Sequence, residues 1–325
     1  MNGSAGRTRR RSAILAVSGP FLALLLACLF FASRTDRFLT SQNFSLILQQ
    51  IVVVGVIAIG QTVVVLTAGI DLSCGMVMAL GSIVMTRAAV DHGMGPAAAV
   101  ACGMLVTMGF GFLNGALITF VRLPPFIVTL GTLNIAFAIT QIYSGSQTIS
   151  GLPDGLVVLG ETFRVRGTAV TYGTIVMLGL YVLAWLALRE TAPGRHVYAI
   201  GNNAEAARLM GIPTRRLILT VYTCAGLTYG IAALLAVARS GVGDPQAGQT
   251  DNLESITAVV LGGTSLFGGR GLILGSLIGA LIVGVIRNGL TLMGVASVYQ
   301  ILITGILVIL AVATDQLSRR QGERA

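Results

Sequence analysis

The sequence predicts an all-α fold, a polytopic membrane helical bundle of about ten transmembrane segments, and three observations carry that prediction. Hydrophobic residues make up 54% of the 325-residue chain and charged residues only 10%. Apolar runs of about 20 residues, the length a helix needs to cross a hydrocarbon core of about 30 Å, recur from one end to the other. The chain also holds 42 glycines, and small residues let membrane helices approach closely. Length alone would suggest about two soluble domains. Composition overrides it and predicts one transmembrane domain over 1–325.

The first predicted span, Ala13 to Ala32, follows a basic tail over 1–12. Its RTRRR start and Leu26-Ala27-Cys28 resemble a signal peptide or a lipoprotein cleavage site, but nine further apolar segments favour an uncleaved first span. The next spans are Phe44 to Thr67, Leu72 to Val90, Pro96 to Phe120 and Pro124 to Ser144. A polar loop, Gly145 to Gly167, leads to a sixth span, Ala169 to Leu188. The longest polar interruption follows, within a loop over 189–216. Leu217 to Ala238 is the seventh span, and Arg239 to Leu253 a second polar loop. Glu254 to Leu261 is too short to cross, which leaves a re-entrant half-helix or an extension through the following glycines. Leu272 to Leu290 and Val298 to Thr314 complete the segments, with a tail over 315–325.

All 21 basic residues are arginine, and there is no lysine. With the N-terminus inside, ten crossings leave Arg34, Arg37, Arg87, Arg164, Arg166, Arg239 and Arg287 outside and twice as many arginines inside. The positive-inside rule then predicts that both termini are cytoplasmic. The net charge of +9 is thereby a topology signal. A nucleic-acid partner is not expected, because no soluble basic face with aromatics is present. Cys28, Cys74, Cys102 and Cys224 are scattered through apolar segments and read as small buried hydrophobes, with no disulfide or metal framework.

Without lysine no GxxxxGK[ST] phosphate-binding loop exists, so this chain does not hydrolyse ATP by that motif. No HExxH is present, and His92 and His196 fall in loops. No catalytic or metal-binding residue is predicted. The chemistry that remains is a conduit with an external energy source.

Gly194 to Arg216 points to that source. Asn203 to Leu209 reads as a short helix: Asn202 or Asn203 caps its first turn, Glu205 favours the positive end of its dipole, and Gly211 before Ile212-Pro213 ends it. Two turns are not stable alone, so this helix needs a docking surface. Glu205-Ala206-Ala207-Arg208-Leu209-Met210-Gly211 fits the EAAxxxG pattern of ABC importer permeases. The alanines give a smooth face for a groove, Glu205 and Arg208 offer charges, and Gly211 turns the chain back.

Three blocks together resemble permease subunits of the ribose/xylose/arabinose/galactoside class of ABC sugar importers. They are Gly60-Gln61-Thr62 through Gly69-Ile70-Asp71-Leu72-Ser73, Ala199-Ile200-Gly201-Asn202 through Gly211-Ile212, and Leu261-Gly262-Gly263-Thr264-Ser265 through Gly268-Gly269 to Asn288-Gly289. Cys74 stands where the family commonly has Val, and Ala68 where it commonly has a second Gly. The resemblance implies a permease of a bacterial inner membrane, paired with a second copy or a similar chain. ATPase subunits would hold ATP and Mg and dock on Asn203, Glu205, Ala206, Ala207, Arg208 and Gly211, and this chain would bind no cofactor. A periplasmic binding protein would deliver the small-molecule sugar, with Asp154, Glu161, Asp244, Asp251 and Glu254 of the two external loops as its candidate contacts; solvated loops carry such charges in any case.

Asp71 is the most pointed residue near the membrane, since a carboxylate at the bilayer centre costs on the order of 2.5–3.5 kcal/mol. Its flanking glycines break one helix, and it either caps the next or acts in gating; the two roles are compatible. Gln61, Ser73, Asn114, Asn134 and Asn288 complete the candidate path or gating set, while Gln49, Gln50, Gln141 and Gln300 are further polar groups inside spans. Amides and hydroxyls suit a sugar, which has many hydroxyls and no charge, and equally suit helix-to-helix contacts worth about 0.6 kcal/mol.

Asn114-Gly115 followed by Gly131 repeats as Asn288-Gly289 followed by Gly305, on segments predicted to run oppositely, as in an inverted repeat. A second match, Val64 to Ser82 against Val259 to Ser276, pairs segments running the same way, so both cannot report one repeat. Rival readings are an ABC permease for a nucleoside or signal molecule, and an ion-coupled secondary transporter. The last would want a paired acid and base within the membrane.

Overall fold

The computed structural model describes residues 4–165 and 168–322. The outer ends of the tails expected over 1–12 and 315–325, and Arg166 and Gly167 of the first polar loop, lie outside the described residues. The helices are α1 (Ser4–Arg34), α2 (Ser41–Leu66), α3 (Cys74–Val90), α4 (Pro96–Ala116) and α5 (Pro125–Ser144), then a short α6 (Asp154–Val157) and α7 (Tyr172–Glu190). There follow α8 (Ala192–Asn202), α9 (Ala204–Leu209), α10 (Thr214–Ser240), α11 (Asp251–Leu261), α12 (Ile273–Leu292) and α13 (Ser297–Gly322). A π-helical turn, Leu117–Val121, extends α4, and two short strands, β1 (Thr162–Val165) and β2 (Thr168–Thr171), pair antiparallel.

Among the described residues, six helices are long and apolar enough to cross a membrane: α2, α4 with its π turn, α5, α7, α10 and α12. Gly19–Arg34, Cys74–Val90 and Ser297–Ala313 are shorter apolar stretches. The protein is a polytopic helical membrane bundle. Its centre is α2, whose apolar window is 78% buried, whereas α4, α5 and α7 are 28% buried and form the outside. Leu105, Phe120, Ile127 and Leu183 stand exposed on these outer helices, as lipid-facing side chains do.

Glycine sets the packing distances. A Cβ at Gly60 would lie 3.1 Å from the Ala225 backbone, one at Gly111 would lie 2.3 Å from the Tyr222 carbonyl, and one at Gly279 would lie 1.8 Å from the Ala258 carbonyl. Such contacts also fix direction. Gly111 faces Tyr222, Gly115 faces Leu219 and Gly230 faces Met104, so α4 and α10 are antiparallel. Gly284 meets Ile51 and Ser276 accepts a 2.7 Å bond from Thr62, so α12 runs against α2. Asn114-Gly115 and Asn288-Gly289 therefore sit on oppositely directed helices, while α2 and α11 run the same way.

Several boundaries differ from expectation. Ala169 belongs to β2, not to a helix, because Thr171 caps α7 by accepting the Thr174 amide. The first polar loop carries α6 and the hairpin, which its polarity concealed. The chain ahead of Asn203 is no loop but α8, whose Val197 and Ile200 are buried and whose Thr191 accepts the Gly194 amide. The short segment near Glu254 is resolved in favour of a half-helix: α11 begins at Asp251 and stops at Leu261, where Gly262–Gly271 leaves the helical conformation with Gly263, Gly268 and Gly269 at positive φ.

Candidate functional site

The chain breaks between α2 and α3. Ala68 turns it with φ +61°, after which an extended stretch climbs back beside α2 until α3 starts at Cys74. Inside a bundle such a stretch must find partners for its freed backbone groups. Three successive carbonyls each take a side-chain donor from a different helix. Ile70 accepts from the Thr129 hydroxyl of α5 at 3.1 Å, Asp71 from the Gln61 amide of α2, and Leu72 from the Asn252 amide of α11 at 3.4 Å.

The Asp71 side chain is fully buried. Its Oδ1 accepts the Ser73 amide (2.9 Å) and hydroxyl (2.6 Å), and its Oδ2 accepts the Tyr229 hydroxyl of α10 (3.1 Å). Asn114 donates to Ser73 Oγ at 3.1 Å, and Thr132 donates to Asn114 Oδ1 at 2.8 Å. Gln61 also approaches Cys74 Sγ at 3.1 Å. Thus Gln61, Asp71, Ser73 and Asn114 form one buried polar joint across α2, α3, α4, α5 and α10. Asp71 does not cap α3 as expected: Ser73 is the N-cap, and the carboxyl holds the turn ahead of it.

The other two expected path residues stand apart. Asn134 is exposed on α5 and donates to the Leu130 carbonyl at 3.0 Å, and Asn288 is buried on α12 outside the joint. Tyr229, Thr129, Thr132 and Asn252 escaped the sequence reading. Thr129 and Thr132, about one turn apart on α5, were the available signal; Tyr229 had none.

The second break precedes α11. From Gly241 the chain runs back into the bundle, pairing Ile149 with Gly243, and α11 starts at Asp251. Glu254, expected in a solvated loop, is instead buried in the first turn of α11 at 7% exposure. Its carboxylate accepts two bonds from Arg287 Nη1 of α12, at 2.8 and 3.0 Å, and one from Thr250 at 3.3 Å. Arg287 keeps 53% of its side chain exposed. The pair borders a cavity of about 100 Å³ shared with Leu253, Leu290, Gln300 and Thr304.

At the opposite end, α9 forms as its residues dictate. Asn203 is the cap, its Oδ1 accepting the Ala206 amide at 2.9 Å, and Gly211 leaves with φ +85°. Ala207 packs inward, while Ala206, Leu209 (73%) and Met210 (84%) face outward. Arg208 grips Glu205 through two bonds, at 3.0 and 2.5 Å, which holds the Glu205 carboxyl below the usual range and raises the arginine. The expected charged pair is therefore closed on itself, and the apolar tip is what α9 offers. Behind it lies a backbone junction: Gly269 donates to the Leu66 carbonyl at 3.0 Å, and a Cβ at Gly201 would lie 1.8 Å from that same oxygen. Tyr198 of α8 donates to the Gly271 carbonyl at 3.2 Å. The Gly262–Gly271 loop is also held by Asp315 of α13, which accepts the Ser265 hydroxyl at 3.1 Å.

Apolar helices broken at buried polar joints, with an exposed apolar tip on a short helix at one end, define a membrane transport protein. Residues 43–312 match the family described as branched-chain amino acid transport system / permease component, and the chain belongs to that family. It is a transport subunit and not an enzyme. It is 44% identical to the fructose import permease protein FrcC of Rhizobium meliloti over 93% of this chain and 85% of that one. It is 38% identical to the ribose import permease protein RbsC of Bacillus subtilis (strain 168), covering 92% of each. The D-allose transport system permease protein AlsC of Escherichia coli (strain K12) shares 34% over 91% of this chain and 90% of its own.

Proposed function

We propose that the chain is the permease subunit of an ATP-driven ABC importer, carrying a monosaccharide or similar polyol delivered by a periplasmic binding protein. The observation that carries this reading is the run of fructose, ribose and allose permeases matched over more than nine-tenths of the chain. The family description names branched-chain amino acids instead, so leucine is the competing solute to test.

In this reading the protein is a single domain of ten crossings in a bacterial inner membrane. Both termini, with the tails over 1–12 and 315–325 and the coupling loop over 189–216, face the cytoplasm. Two copies enclose the path, with Asn134 and Asn288 as polar groups serving it. ATPase subunits, which hold ATP and Mg, receive Leu209 and Met210 of α9, with Asn203, Glu205, Ala206, Ala207, Arg208 and Gly211 fixing that helix. ATP binding draws the ATPases together and shifts α8 and α9, favouring one of two access states. The Gly201, Leu66 and Gly269 junction passes that shift to the first break, where Gln61, Asp71, Ser73 and Asn114 keep α3 and its neighbours moving as one body.

Co-purification with the candidate ATPase, followed by ATP hydrolysis in nanodiscs with the binding protein, tests this. The wild type should bind the ATPase and respond to binding protein loaded with D-fructose or D-ribose and not with leucine. Glu205→Ala combined with Gly211→Pro should abolish the response. Uptake driven by a proton or sodium gradient with no associated ATPase would refute the reading.

A further inference from the structure

The cavity beside the second break has a composition that a purely structural ion pair does not require. Ion pairs within membrane helices are costly and mark solute or ion pathways. Glu254 is buried while Arg287, which lines the cavity, keeps about half of its side chain exposed. Only Nη1 of Arg287 is engaged, so among the described residues its Nε and Nη2 make no hydrogen bond. On the facing wall Gln300 commits its side-chain nitrogen to Thr291 (3.2 Å) and the Val295 carbonyl (2.9 Å), its backbone carbonyl accepts the Thr304 hydroxyl (2.9 Å), and no described residue donates to its side-chain Oε1. Ile286, Leu290 and Ile301 supply an apolar side.

We propose that the cavity bounded by Glu254, Arg287, Gln300 and Thr304 is a contact site for a neutral polyhydroxylated solute, an aldose or ketose, on its route through the bundle. This rests on the importer reading above. The arginine offers three free N–H donors, one on Nε and two on Nη2, set in one plane, and the carboxylate and Gln300 Oε1 offer acceptors, which together match neighbouring hydroxyls that both donate and accept. The aliphatic wall suits the C–H face of a sugar ring. A volume of about 100 Å³ holds several water-sized groups at about 10–15 Å³ each, so hydroxyls can replace ordered water there. Because the ion pair is neutral as a unit, it orients an uncharged solute without trapping it. A solute with a net charge would meet a partner already occupied.

The test uses the full permease with its ATPase and binding protein in proteoliposomes, measuring uptake of radiolabelled D-fructose and D-ribose beside binding-protein-stimulated ATP hydrolysis. Arg287→Lys keeps the charge and removes the fork. Gln300→Ala with Thr304→Val clears the facing wall at positions outside the ion pair, and thermal unfolding in detergent checks that losing the Gln300 bonds to Thr291 and Val295 leaves the fold intact. Uptake by each variant should fall about tenfold, equivalent to about 1.4 kcal/mol, with stimulated hydrolysis kept. Unchanged uptake in both variants overturns the proposal. So does a parallel loss of uptake, hydrolysis and co-purified ATPase, which would make these groups structural. If the wild type takes up neither sugar, the importer reading falls and the site falls with it; if the wild type transports and the variants match it, only the site falls.

Discussion

The two breaks in this bundle solve the same problem in opposite ways. At the first, Asp71 and three consecutive carbonyls are held by uncharged donors from four helices and from Ser73, and the carboxyl makes no ion pair among the described residues. At the second, Glu254 is paired with an arginine that remains half exposed beside a cavity. The difference separates two jobs for buried polarity. A buried carboxyl and carbonyls held by uncharged donors fix one arrangement of the helices, whereas a charged pair with unused donors leaves bonding capacity for something else.

The largest expected effect breaks the junction that ties α8 to the first break and, among the described residues, has no counterpart at the second. Gly201→Ala places a methyl against the Leu66 carbonyl and 2.4 Å from the Gly269 nitrogen, and backbone cannot yield as a flexible side chain does. It should abolish uptake and lower the unfolding temperature in detergent, where an overpacked contact costs about 1–3 kcal/mol or more. Next, the contrast itself can be measured by thermal unfolding of paired variants. Asp71→Ala strands the Ser73 amide and hydroxyl and the Tyr229 hydroxyl, and should destabilise by about 1–3 kcal/mol. Glu254→Gln keeps an acceptor beside a solvated arginine and should cost less than about 1 kcal/mol. Equal losses would erase the distinction between a sealed joint and an open one. The smallest effect has the opposite sign: Ala68→Gly relieves a left-handed residue at the first break and should stabilise by about 1 kcal/mol.

What the sequence revealed follows from which signals are local. Spans were legible from apolar length, and α9 from Asn203, Glu205 and Gly211, because capping and turning are decided within a few residues. The Gly69-Ile70-Asp71 break was legible for the same reason, and it brought out Gln61, Ser73 and Asn114 with it. The partners that complete the joint were not, since Tyr229 and Asn252 lie 158 and 180 residues away from the groups they bond. Amphipathic α8 hid behind its polar residues, its buried Val197 and Ile200 being too few to stand out. Glu254 looked like a loop acid because its partner Arg287 sits 33 residues downstream. The departure at Ala68 looked minor as a residue swap, and only the backbone shows it occupying a conformation that favours glycine.

The first break also constrains the order in which the protein can be made. A ribosome delivers the chain from its N-terminus at about 5–20 residues per second. The Asp71 carboxyl and the Leu72 carbonyl thus enter the membrane well before Tyr229 and Asn252 have been synthesised, an interval on the order of 10 s. During that time Asp71 Oδ2 and the Leu72 carbonyl, just ahead of α3, lack the donors that bond them in the complete protein. The early helices must wait beside water, lipid headgroups or the insertion machinery, and close only when the second half arrives. A joint stitched from both halves of the sequence is therefore also a checkpoint on completeness, since a chain cut short of Tyr229 and Asn252 leaves Asp71 Oδ2 and the Leu72 carbonyl without those partners.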